Sequence, residues 1–244
     1  MSAENSFAWD RLADWYQDAF ALSTDVVHYG PDMPTERELR LCGDVAGKRI
    51  VELGCGAAQN AIALARQGAK VIAVDASKQQ IAHARRLAEA NEAKVELHHG
   101  DMADLSFVTS ASVDLVLSVH AFGYVDDLNR VFRQVHRILK PDCPLVFSVP
   151  HPIRQLLDSA GGLPFVKRSY FDRTPITSRM NGIPLTVTPL TVSSLFTALH
   201  RANFRVDIIS EPEPPAGVAR SPMWRESDQV VPSTLIMRAR KLGV

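Results

Sequence analysis

The sequence predicts a doubly wound α/β fold built on a mostly parallel sheet, and three observations carry that reading. Short β-branched runs such as Ile50-Val51 and Val71-Ile72-Ala73-Val74 have the texture of strands buried on both faces. Amphipathic stretches of helical period lie between such runs, giving the βαβ alternation of a parallel sheet. Gly54-Cys55-Gly56 joins the first run to the first helical stretch, and glycine there lets the backbone turn sharply and come close to a ligand.

Each element follows in order. Residues 6–21 form an amphipathic helix dense in aromatics (Trp9, Trp15, Tyr16, Phe20), which either packs its rings on the core or acts as a lid. Val26 to Asp32 reads as loop, and Thr35 to Leu41 as a helix starting after Pro34. Strands are expected at Arg49–Leu53, Lys70–Asp75, Val95–His99, Val113–Val119 and Leu145–Val149. Ser77 caps a helix over Gln79–Asn91 that turns Ile81, Ala84, Leu87 and Ala88 inward. A helix over Asp127–Leu139 stops at Lys140-Pro141, as helices do before proline. From Ile153 to Pro189 the apolar periodicity fades. There Ser169–Asp172 and Ile183–Val187 flank Asn181-Gly182, a type I′ hairpin signal, and such a hairpin would cap the crevice mouth. A helix over Thr191–Ala202, a strand over Arg205–Ser210, a proline-rich loop and a last strand over Ser233–Arg240 complete the chain.

Composition narrows the function. At 244 residues, 46% hydrophobic and 22% charged, the chain can bury one large core. Its 27 basic residues balance 27 acidic ones, which argues against nucleic acid as a partner, because phosphate binding needs a basic surface. A polar N-terminus and the lack of any apolar run of spanning length predict a cytoplasmic protein with no membrane partner. Cys42, Cys55 and Cys143 lack metal-ligand spacing and read as reduced thiols. His98 and His99, adjacent on a strand, point to opposite faces and cannot chelate together.

The glycine loop carries the chemistry. Asp75 ends the second strand, where a carboxylate can accept from ribose hydroxyls. A dinucleotide fingerprint would place a third glycine where Gln59 stands, and Glu52 beside the loop does not favour a pyrophosphate. An acid there suits a ligand with a cationic amino group, a ribose and no phosphate. Glu52-Leu53-Gly54-Cys55-Gly56, with Asp75 after it, closely resembles the first motif of class I S-adenosylmethionine-dependent methyltransferases of the bacterial small-molecule type.

That resemblance implies a Rossmann-like sheet of seven strands with the last antiparallel, helices on both faces, an N-terminal helical lid and a hairpin cap after strand five. It implies a single domain over 1–244, with lid helices at 1–45, a cofactor core at 46–150, a cap insertion at 151–190 and the last helix and two strands at 191–244. S-adenosylmethionine is then the cofactor and S-adenosylhomocysteine the product. Asp101 would accept from the adenine amine and Met102 would cover the ring. Trp9-Asp10-x-x-Ala13-x-x-Tyr16 is similar to the family's lid segment and makes Tyr16 the lid residue. With these, Glu52, Gly54, Cys55, Gly56, Asn60, Asp75, Ala76, Val119 and His120 make up the expected cofactor set. The resemblance is specific only from Arg49 to Val149, and Pro141-Asp142-Cys143 replaces the customary Pro-Gly-Gly turn.

Methyl transfer from a sulfonium asks the protein to align the nucleophile, exclude water and, for a protonated acceptor, remove a proton. No metal is required, and no clustered ligand set is visible. His151 and His120, both at strand C-termini, are the candidate bases, with backbone satisfaction or a place in the adenosine pocket as the plainer alternatives. Tyr124, His151, Tyr170 and Phe171 are candidates for the acceptor pocket, against simple core packing. Neutral charge and an aromatic cap favour a small organic acceptor, with the enzyme a monomer or homodimer. Two other readings stay open: a non-catalytic S-adenosylmethionine-binding protein and an NAD-dependent oxidoreductase.

Overall fold

The computed structural model describes residues 1–158, 164–217 and 219–243. Its strands are β1 (Arg49–Leu53), β2 (Lys70–Asp75), β3 (Val95–His99), β4 (Leu115–Val119) and β5 (Pro144–Pro150). They continue as β6 (Leu157–Asp158), β7 (Phe165–Val166), β8 (Ile176–Met180), β9 (Ile183–Val187), β10 (Phe204–Ser210) and β11 (Thr234–Lys241). The helices are α1 (Ala3–Phe20), α2 (Glu36–Leu39), α3 (Gln59–Arg66), α4 (Lys78–Ala90), α5 (Leu128–Ile138) and α6 (Val192–Arg201).

The large sheet runs β3-β2-β1-β4-β5-β11-β10, and only β11 is antiparallel to its neighbours. The period of two along each strand splits the core into two layers. Val51, Leu53, Val116, Phe147 and Met237 face α5 and α6, while Ile50, Val71, Leu117, Val146 and Ile236 face the layer of α3 and α4. Chain order reverses between β1 and β4, so the crevice opens outside the C-terminal ends of these strands, where open α/β sheets bind ligands. No helix among the described residues is long and apolar enough to cross a membrane.

Two elements roof the crevice. Ser2 caps α1, accepting from Asn5 N–H at 3.2 Å. The Asn5 amide then pairs with both backbone groups of Thr186 on β9, donating at 2.7 Å and accepting at 3.1 Å. Asp10 accepts from Ser77 Oγ at 2.7 Å and Gln79 N–H at 3.0 Å, so α1 places a carboxylate at the positive end of α4. The β8–β9 hairpin turns at Asn181-Gly182 with φ of 45° and 74°, the type I′ geometry read from the sequence. Its first strand is a correction: Ile176–Met180 pairs with β9, whereas Ser169–Asp172 lies in a turn closed by Asp172 N–H to Ser169 O. The Asp172 carboxylate takes Thr174 N–H, and this local bonding competes with strand pairing. The fourth strand also starts two residues late, Val113 making only an isolated bridge to Leu139. The expected cap insertion includes residues 159–163, which lie outside the described residues.

Candidate active site

A cleft open in part to solvent lies beneath α1 at the strand C-termini. The glycine loop forms its floor. Gly54 N–H and Cys55 N–H both donate to Val74 O, at 2.8 and 3.1 Å, folding the loop back against β2. Gly54 has φ 69°, and a Cβ there would stand 2.3 Å from Ala121 Cβ, so glycine is required twice over.

Asp75 holds the loop in shape. One carboxylate oxygen accepts from Gly56 N–H and the other from Ser77 N–H, both at 2.8 Å. Each oxygen has the capacity to accept one hydrogen bond more. Burial pushes its pKa up to about 6, against the two backbone donors that pull it down. Glu52 faces α3 and is 2% exposed. The α3 N-cap, Ala58, offers no side-chain cap, and Glu52 Oε2 takes that part by accepting from Ala61 N–H at 3.0 Å. Burial raises Glu52 to about 8, so before any cation arrives it is largely protonated at neutral pH. Burial first, then the carboxylates of Asp75 and Glu52, also raises the Cys55 thiol well above its usual range.

The other expected cofactor residues gather here. Tyr16, Gly56, Asn60, Ala76, Asp101, Met102, Val119 and His120 all line the cleft, as does Tyr124. Asn60 is also a clamp: it accepts from His28 N–H at 2.8 Å and donates to His28 O at 3.2 Å, tying the N-terminal loop to α3. Asp101 Oδ2 accepts from the Met1 amino group at 2.9 Å. Tyr16 and Tyr124 both contribute to an edge-to-face aromatic chain through Trp9, with centroids 5.3 and 5.5 Å apart. Burial pushes Tyr16 up to about 12 and raises Tyr124 further, with Tyr16 as second cause.

Three expectations are corrected. His151 does not line the cleft: it is 2% exposed, its Nδ1 accepts from Ile153 N–H at 3.1 Å, and its Nε2 bonds Glu211 Oε1 at 2.7 Å. Burial lowers its pKa more than Glu211 restores it, so this is a neutral hydrogen bond that anchors the chain after β5, without access to a substrate. Phe171, 80% exposed, and its edge-to-face neighbour Tyr170 sit in the turn before β8 and outside the cleft. The Phe171 ring is spent on Tyr170 and on solvent, because the strand expected to aim the pair does not form there.

The sequence reading missed a row of amides. Gln59 donates to Gln17, and Gln17 donates to Gln80 Oε1 at 2.9 Å, linking α3, α1 and α4 across the cleft. Gln59 stands where a dinucleotide motif would have glycine, and a long amide in that place was the available signal. Met180 and Met223 reach the lining from the hairpin and the C-terminal loop, and nothing in their local sequence announced it.

A cleft at the β1/β4 reversal, with a glycine loop, three carboxylates (Glu52, Asp75, Asp101) and no lysine or arginine among its described lining residues, suits a cationic, phosphate-free nucleoside ligand. The comparisons agree. Residues 50–142 match the family model described as a methyltransferase domain. A magnesium-protoporphyrin O-methyltransferase of Rhodobacter capsulatus is 35% identical over 145 residues, 58% of this chain and 62% of the relative. A ubiquinone biosynthesis O-methyltransferase of Xanthomonas oryzae is 30% identical over 105 residues, 43% of this chain and 44% of the relative. The chain thus spans less than two thirds of either relative. The crystal structure of an S-adenosylmethionine-dependent methyltransferase from Mesorhizobium loti superposes with a TM-score of 0.69 at 28% identity, covering 83% of this chain and 95% of that one. Residues 50–142 thus match a methyltransferase domain, and the fold is shared with S-adenosylmethionine-dependent methyltransferases, a class whose cofactor is S-adenosylmethionine.

Proposed function

We propose that this protein transfers the methyl group of S-adenosylmethionine to a small organic acceptor. The observation that supports it most is the division of the cleft: among the described lining residues the carboxylates lie on the β1–β3 side, and the β4–β5 side carries none. When bound, the cofactor supplies a methyl already activated by its sulfonium, which passes in line to a lone pair while the carbon–sulfur electron pair returns to sulfur.

In this reading the chain's residues bind and orient. Glu52, with Asn60 beside it, answers the amino end of the cofactor. Asp75 and Ala76 hold the ribose hydroxyls, while Asp101 takes the adenine amine and Met102 covers the ring. The Gly54-Cys55-Gly56 backbone passes beneath, with Val119 and His120 beside it. Tyr16 closes from above and excludes water, and Tyr124 borders the acceptor. His120, at the end of β4, is the one histidine of the original pair that reaches the cleft; it orients the acceptor. The O-methyltransferase names of the Rhodobacter and Xanthomonas relatives favour a small acceptor. Three unbridged cysteines are in keeping with a reducing, cytoplasmic setting.

An acceptor screen with mass detection tests the reading, following S-adenosylhomocysteine formation alongside each methylated product. Transfer to at least one small molecule, abolished in the heat-denatured protein, is the expected result. A protein that binds the cofactor yet methylates nothing across the screen is a binding protein instead.

A further inference from the structure

The acceptor side of the cleft has a composition of its own. It is walled by Trp9, Tyr16, Tyr124, Met180 and Met223, with Pro150 at the end of β5. None of these carries a formal charge, and the methionine walls can adapt to irregular apolar shapes. The polar group that β4 sends into this half is His120, and the chain takes trouble to place it. His120 adopts φ 52° at the end of β4, a left-handed conformation unusual for a side-chain-bearing residue. Its Nε2 lies 3.2 Å from Thr234 Oγ1, and Thr234 is 1% exposed. Across the ring, Gly30 has φ 136°, and a Cβ there would stand 2.6 Å from Nε2. Thr234 therefore fixes the Nε2 end of the imidazole, and only a glycine at position 30 leaves room for the ring in that pose.

Resting on the methyltransferase reading above, we propose that the acceptor is a molecule with an uncharged, largely apolar body, hydrogen-bonded by a neutral His120 that Gly30 and Thr234 position. A carboxylate or ammonium carried away from the reacting atom would lose its water and meet no charged side chain among the described residues that wall this half, the nearby Arg154 guanidinium being held by Asp228. Burial, with Arg154 as second cause, holds the His120 pKa down to about 3, so the ring is neutral at physiological pH, with Nε2 engaged by Thr234 and Nδ1 left for the acceptor. It is a positioning residue, and proton storage on it is disfavoured.

Nuclear magnetic resonance on the full chain saturated with S-adenosylhomocysteine tests this with three probes of one scaffold: 4-methylphenol, 4-hydroxybenzoate and tyramine. The S-adenosylhomocysteine titration comes first, and its failure would overturn the functional reading. With the cofactor product bound, 4-methylphenol is expected to bind at least tenfold more tightly than either charged analogue and to shift the His120 ring protons. Thr234→Val should weaken 4-methylphenol at least threefold while S-adenosylhomocysteine affinity stays within twofold. Equal or tighter binding by a charged analogue, no binding by any probe, or a His120 resonance that does not move would each overturn the proposal and leave the methyltransferase reading standing. An unaltered probe affinity in Thr234→Val would remove the positioning role.

Discussion

Glu52 has two tasks that pull against each other, and its protonation reports on both. It caps α3 through Ala61 N–H, and in the proposed role it faces the cofactor's ammonium. With a folded pKa of about 8 against 4.5 for the ordinary side chain, the folded protein holds a proton that the unfolded chain gives up. Asp75, at about 6 against 3.8, shifts the same way. Their contribution to stability is complete below the unfolded pKa values and is lost as pH rises through the folded ones. Thermal midpoints should therefore fall between pH 5 and about 8.5, and Glu52→Gln should flatten that slope; an equal slope in the variant would show that other groups carry it. A cation beside Glu52 favours its charged form, so cofactor binding releases a proton and tightens as pH rises from about 6 to 8. Asp75→Ala removes the expected ribose acceptor and should weaken S-adenosylhomocysteine by more than tenfold, about 1.4 kcal/mol. An unchanged titration curve, with circular dichroism confirming the fold, would retire the ribose role.

At the scale of elements, the lid is held by polar side chains that reach far along the sequence. Asn5 pairs with Thr186 on the hairpin, and Gln17 bridges Gln59 on α3 and Gln80 on α4. Asn5→Ala strips two backbone groups of Thr186 of their partner, a loss of about 1–3 kcal/mol where water cannot replace it. Amide hydrogen exchange should then quicken over α1 while the strands β1, β2 and β4 keep their protection. Equal protection of α1 in the variant would mean that its aromatic packing suffices. Elements were legible where burial marked the sequence, as a continuous apolar run in β2 and a helical period in α5, and both fall within two residues of their expected bounds. β8 was not, because Ile-Thr-Ser-Arg-Met exposes its middle three residues and has no buried face to read. His151 misled for a related reason. Its place after a strand was visible locally, but the Glu211 carboxylate that takes its Nε2 lies 60 residues later.

For the whole molecule, the cleft joins a sheet of seven strands, a lid that precedes it and a hairpin inserted after β5. A ligand that touches all three ties them to one unfolding transition. At a hundredfold excess over its dissociation constant it adds about 2.7 kcal/mol, which in a chain of this size raises the melting midpoint by roughly 5–10 °C. A midpoint that stays put despite measured binding would mean that lid and core unfold separately. The glycine loop, Asp75 and Asp101 were legible as cleft residues because the proposed cofactor half is one contiguous stretch, whereas the proposed acceptor half draws on Trp9, His120, Met180 and Met223, far apart in the chain. The most direct measurement is a calorimetric titration of the full chain with S-adenosylhomocysteine and, separately, with NADH. One saturable site for S-adenosylhomocysteine and no heat from NADH is the predicted result; saturable NADH binding with none for S-adenosylhomocysteine would contradict the account.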